Sequence, residues 1–206
     1  MSDEASERPY RLFVGVPVPG HVKDEIERAQ QELRRALSTD RLRWAGRAQL
    51  HVTLKFLGAV DPARVEPLTQ ALEAAVTRID PVRLEAVGVV AFPERRARML
   101  WVRVRDTAEH LALLHRAVEE STADFTSEAP ERGFTAHITL ARFRSHRRRP
   151  IEPAQAFSRT MESRHFGSWI ADAVEVVRSE PGPSGSRYTT LAAIPLSGRS
   201  RPSSIS

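Results

Sequence analysis

Two short stretches of this 206-residue chain carry side chains able to exchange protons near neutral pH. HVTL begins at His51, and HITL begins at His137. Each sets a histidine and a threonine two residues apart among strand-forming residues. Strand alternation puts His51, Thr53 and Lys55 on one face and Val52, Leu54 and Phe56 on the other. The same rule sets His137 and Thr139 against Ile138 and Leu140. One His-x-Thr on a strand is more often a satisfied, half-buried pair than a site. Core packing has no reason to choose the pair twice, with leucine after both.

Two imidazoles facing each other across a cleft supply a proton donor and a proton acceptor. The threonine hydroxyls, on the same faces, can hold the oxygens of an anion between them. A tetrahedral phosphate suits the set. One ring activates the attacking oxygen, the other protonates the leaving oxygen, and the hydroxyls hold the rest as charge builds. This chemistry requires no metal and no cofactor. His21, His110, His115, His146 and His165 have no partner motif. No two histidines have the short helical spacing of a zinc protease, and no cysteine is present. Disulfides, thiolate catalysis and Cys-ligated zinc are thereby excluded.

These strands need elements to position them. YRLFVGV (10–16) reads as a first strand, closed by Pro17 and Pro19. Apolar residues at Val22, Ile26, Ala29, Leu33 and Leu37 predict an amphipathic helix over 22–37. RLRWAG (41–46) reads as a short strand or turn. Asp61 and Pro62, as N-cap and first helical residue, open a helix through Val65, Leu68, Leu72 and Val76. A hairpin is predicted from 82–92 and 98–104 around 93–96, then a helix over 107–123 presenting Leu111, Leu114 and Val118. The loop 127–136 delivers the His137 strand. A poorly defined segment follows Pro150 and Pro153, and a last hairpin joins 172–180 to 188–196. This order favours an α+β fold with mixed or antiparallel sheet. Both halves run helix, loop, His-x-Thr strand, which predicts pseudo-twofold symmetry about one cleft.

The formal net charge of +5 is carried almost wholly by arginine, with Lys23 and Lys55 the only lysines. Codon bias accounts for an arginine excess as readily as function does. The cluster Arg142, Arg144, Arg147, Arg148 and Arg149 follows the second motif directly and brings positive charge to its mouth. No window has the apolar length of a membrane span, and the polar, acidic N-terminus reads as neither signal nor transit peptide. The expected compartment is the cytoplasm.

HVTL (51–54) and HITL (137–140), half a chain apart, resemble the paired signature of the 2H phosphoesterase superfamily. Within it the chain is similar to the RNA 2′,3′-cyclic phosphodiesterases, historically called 2′-5′ RNA ligases. RLFVGVPVP (11–19), LHVTLKFLG (50–58), FTAHITLAR (134–142) and RSEPGPSGSRYTTLAAIPL (178–196) follow the family's order. The resemblance implies one bilobal α+β domain over 10–196, with two pseudo-symmetric lobes of mostly antiparallel sheet and outer helices around a central cleft. Residues 1–9 are expected to be a flexible N-terminus and 197–206 a disordered tail. It further implies a metal-independent enzyme that opens a 2′,3′-cyclic phosphate on RNA, acting as a monomer away from membranes. His51 would be the proton donor, His137 the acceptor, and Thr53 and Thr139 the phosphate holders. Arg142 would assist phosphate binding, although strict alternation turns it away from His137 unless the strand ends or bulges after Leu140. Phe13 and Tyr188 are expected to stack on a terminal base. Ala136 stands where relatives often have proline. The reverse reaction, ligation of a 5′-hydroxyl end, would use the same residues. A catalytically idle RNA-end-binding module is the remaining alternative.

Overall fold

The computed structural model describes residues 8–37, 42–93, 97–106, 108–129, 133–144, 159–182 and 185–198. Alternating apolar runs give the strands β1 (Tyr10–Pro17), β2 (Leu42–Trp44), β3 (His51–Val60), β4 (Val82–Phe92) and β5 (Met99–Asp106). They continue as β6 (His137–Phe143), β7 (His165–Ala171), β8 (Ala173–Glu180) and β9 (Arg187–Pro195). These strands form one sheet in the order β7-β4-β5-β6-β3-β1-β8-β9, with β2 beside β6. All their pairings are antiparallel.

The order reads as a palindrome about the β6–β3 junction: β3, β1, β8 and β9 on one side correspond to β6, β5, β4 and β7 on the other. The junction is a single paired position, Val52 opposite Ile138. Beyond it β2 takes over the free side of β6, with Leu42, Arg43 and Trp44 facing Phe143, Arg142 and Ala141.

Three α-helices cover the sheet among the described residues. α1 (Gly20–Leu37) buries Val22, Ile26, Ala29 and Leu33, the stripe its spacing predicts. α2 (Val65–Val76) buries Leu68, Leu72 and Val76 behind a 3₁₀ turn that Asp61 caps by accepting from the Ala63 N–H. α3 (His110–Ser121) buries Leu111, Leu114 and Val118. Placement of these helices crosses the palindrome. α1 follows β1 yet packs on β7 of the opposite half, and α3 follows β5 yet packs on β3.

Two β-bulges change what alternation predicts. In β3, Gly15 faces Thr53 but Val14 faces Lys55, so Leu54 is the extra residue. Lys55 therefore shares the face of fully buried Val14, and Phe56 turns to the face of Thr53. The expectation that Lys55 points with His51 is corrected for its ammonium, which meets the Glu119 carboxylate at 2.8 Å and the Glu119 carbonyl at 3.0 Å, although the residue still borders the cavity that His51 lines. In β6, Trp101 faces Thr139 and Leu100 faces Ala141, so Leu140 is the extra residue. That bulge is the condition set for Arg142, and it brings Arg142 to the face of His137 and Thr139.

β7 lies in the segment that the sequence pattern leaves undefined. Phe166 is skipped in its pairing with β4, and Gly167 has φ near 123°. The bulge breaks the alternation, so the buried residues run Phe166, Trp169, Ala171. The cluster residues Arg147, Arg148 and Arg149, most of the two ends, and the 94–96 turn fall outside the described residues.

The Leu140 bulge is held from below. Its carbonyl accepts from the Ala45 N–H at 2.9 Å and from the Gln30 amide at 3.0 Å, and the same amide donates to the Ala45 carbonyl at 2.9 Å. Gln30 is a buried polar residue on an otherwise apolar helix face. Gln30→Met keeps the shape and removes both donors. It should lower unfolding free energy by about 1–3 kcal/mol, read as a lower urea midpoint at unchanged slope.

Candidate active site

Both His-x-Thr pairs open on one cavity of about 470 Å³, lined also by Arg11, Arg43, Arg142 and Tyr188. No aspartate or glutamate is among the described residues lining it. A pocket with several cations and no lining anion attracts an anionic ligand.

The two rings are held differently. His51 is largely covered, with a side-chain exposure of 10%, and its Nε2 lies 3.3 Å from a carboxylate oxygen of Glu175. A carboxylate only accepts here, so Nε2 is the protonated nitrogen. Nδ1 is buried with no hydrogen-bond partner among the described residues. Glu175 reaches this place because β8 pairs with β1, setting Glu175 opposite Gly15, which itself faces Thr53. Lys23 on α1 feels the same carboxylate. Burial lowers its pKa and the neighbouring Arg47 adds to that, while Glu175 and Glu27 oppose them.

His137 donates from Nδ1 to the carbonyl of Thr135 at 2.8 Å, which makes Nε2 the accepting nitrogen of the neutral ring. Its flat face lies on Trp101, with centroids 3.7 Å apart and planes 14° from parallel. Trp101 in turn stacks on Phe92 at 3.9 Å. Thus one ring has a charged partner and the other a neutral carbonyl and an aromatic wall.

Tyr188 lines the cavity as expected of it, and its ring stands edge-on to Phe13 at 4.9 Å and to His51 at 5.9 Å. Phe13 is a correction. It is only 1% exposed and does not line the cavity, because Tyr188, Phe56 and His51 cover its ring. It cannot offer a face to a base; it supports the rings that can. Phe56, 41% exposed, lines the cavity instead. Glu175, Trp101, Arg43 and Phe56 are the site residues that sequence reasoning missed. Only the RLRW segment before the first motif carried a local signal, for Arg43. Among the described residues no three His, Asp or Glu side chains converge as metal ligands.

An antiparallel sheet folded about two His-x-Thr strands defines a class, and the comparisons agree with it. The family described as LigT like Phosphoesterase matches residues 16–101 of this chain. An RNA 2′,3′-cyclic phosphodiesterase of Geobacillus stearothermophilus is 30% identical over 90% of this chain, which spans 57% of that protein's length. A protein of the same name from Aquifex aeolicus is 26% identical, with 91% of this chain and 98% of that protein aligned. Among solved structures, TT0787 of Thermus thermophilus superposes with a TM-score of 0.74 at 25% identity, covering 92% of this chain and 99% of that one. Escherichia coli LigT, at 21% identity and a TM-score of 0.71, shares the fold over 91% of this chain and 98% of its own.

Burial raises the pKa of the Tyr188 phenol above its ordinary value, outweighing the opposing pull of Arg142 and Arg11. A phenol whose folded pKa is raised contributes stability below the unfolded value of about 10, and that contribution is lost as pH rises through the folded value. In a Tyr10→Phe background Tyr188 is the only tyrosine. Its absorbance near 295 nm should then titrate above pH ~10 while the protein stays folded. A midpoint at or below 10 would contradict the burial.

Proposed function

We propose that this chain hydrolyses the 2′,3′-cyclic phosphate at the 3′ end of RNA to a 2′-phosphate, by metal-independent acid–base catalysis from His51 and His137. The observation that carries the reading is two differently held rings on one cationic cavity, His137 bonded through Nδ1 to the Thr135 carbonyl and His51 with Nε2 beside the Glu175 carboxylate.

In this reading a water loses its proton to Nε2 of His137 as its oxygen attacks phosphorus. The P–O3′ bond breaks on the opposite side, in line. His51 enters as the imidazolium and gives one proton to O3′, which leaves the ring neutral. Glu175 supplies the counter-charge whenever His51 is the imidazolium, while Thr53 and Thr139 donate to the non-bridging oxygens. Arg142 adds longer-range positive charge from the bulged end of β6, and Tyr188 packs the terminal base. The cycle ends with His137 protonated and His51 neutral, and exchange with solvent restores both. Run backwards, the same groups would join a 5′-hydroxyl to the cyclic end, but water far outnumbers any RNA terminus.

Both triplets come from one chain, which supports action as a monomer and residues 10–196 as one domain. No described helix is long and apolar enough to cross a membrane, and we place the enzyme on RNA in the cytoplasm.

The test is incubation of the pure protein, in EDTA, with an oligoribonucleotide ending in a cyclic phosphate. Loss of the cyclic end is expected, and phosphorus NMR of a dinucleotide product should show one isomer, the 2′-phosphate. Retention of the cyclic end would leave only the idle binding module. A 3′-phosphate would exchange the roles of the two ester oxygens. His51→Ala and His137→Ala should each slow turnover on the order of 10²–10⁴-fold with little change in unfolding temperature. The double variant should be far less than multiplicatively worse. The catalytic efficiency should follow a bell-shaped pH profile, each single variant losing one limb.

A further inference from the structure

Arg43 and Arg142 stand directly opposite each other in the β2–β6 ladder, and both line the cavity. Directly opposed residues have Cβ atoms about 4.5–5.5 Å apart, and like charges there destabilise the pair. A carboxylate between them would relieve this, and none is present among the lining residues. Arg142 donates to the neutral sulfur of Met99 at 3.0 Å.

Arg43 is also held in a defined place. Its terminal nitrogen lies against Gly185 in the β8–β9 turn, where an added Cβ would come within 3.4 Å of it and 2.9 Å of the Gln49 amide. Gly185 has φ near 141°, a conformation essentially confined to glycine. Gln49 fixes that turn by donating to the Ser186 carbonyl at 2.6 Å. The fork of Arg43 is thus drawn toward the β8–β9 side of the cavity, and it makes no ion pair with the described residues there. Arg142 itself lies roughly 7–10 Å along β6 from Thr139, one of the three steps being the bulge. A single phosphate between Thr53 and Thr139 leaves the Arg43 fork open for another anion.

We propose that Arg43 and Arg142 form a second anion subsite, which takes the internucleotide phosphate adjoining the reacting end. Two guanidiniums offer paired N–H donors to one phosphate and exchange their mutual repulsion for charge-assisted hydrogen bonds. The preferred substrate is then a chain with at least one internucleotide linkage rather than a cyclic mononucleotide. This identification of the ligand rests on the hydrolysis proposed above.

The test compares catalytic efficiency on three substrates: a cyclic mononucleotide, a dinucleotide with a cyclic end, and that dinucleotide with an uncharged methylphosphonate linkage. Wild type should prefer the charged dinucleotide to the uncharged one roughly 10- to 100-fold. Arg43→Gln should abolish that preference, with a larger loss on the charged dinucleotide than on either other substrate. The two changes should be non-additive, since they remove the same contact. Equal loss on all three substrates, or loss on none, overturns the subsite. If wild type opens no substrate, the hydrolysis reading falls and the subsite is judged by binding of the dinucleotide 2′-phosphate. Its logarithmic salt slope should shrink by about 0.7 in Arg43→Gln, and an unchanged slope overturns the subsite as well.

Discussion

The site depends on one backbone pairing. Val52 and Ile138 are the only positions at which β3 and β6 pair, and both side chains are fully buried. Neighbours in a strand point to opposite faces, so burying these two directs His51, Thr53, His137 and Thr139 to the cavity. A longer β3–β6 ladder would leave no room between the motifs. The early parting of the strands makes the cavity, and the pairing of β2 with β6 keeps the freed edge satisfied.

The two halves repeat their backbone more faithfully than their chemistry. Leu54 and Leu140 are both bulged out of register directly after the threonine, so each strand changes face at the same step. Phe56 and Arg142 consequently occupy corresponding places, one apolar and one cationic. Gly15 and Trp101 likewise correspond, each facing a threonine. The wall beside His137 is a stacked indole, while His51 meets the edges of Phe13 and Tyr188 and the bare backbone of Gly15 leaves room for Glu175. A twofold scaffold thereby holds two unlike proton-transfer groups.

The two motifs, the three helices and most strands were legible because their signals are local: repeated His-x-Thr, 3.6-residue spacing, Asp-Pro at a helix start. What failed was what register decides. Lys55 and Phe56 exchanged faces at a bulge that no residue type announces, and Arg142 reached the cleft by the same device. Phe13 stood on the right face but lies beneath three rings contributed by β3 and β9. Glu175 sits in an ordinary-looking strand, and only the β1–β8 pairing brings it to His51. β7 was missed because a bulge at Phe166 and the backbone of Gly167 disrupt its alternation.

The crossed helices bear on how the cleft can move. α1 leaves one half and packs on β7 of the other, and α3 does the reverse onto β3. Rotation of one half about the β3–β6 junction would drag Val22, Ile26 and Leu33 across the sheet they cover. Leu111, Leu114 and Val118 would slide likewise. Close-packed interiors resist such sliding, which leaves small shear as the accessible motion rather than a wide hinge. A ligand therefore meets a vise already set to width, and loops and side chains at its rim are left to do the adapting.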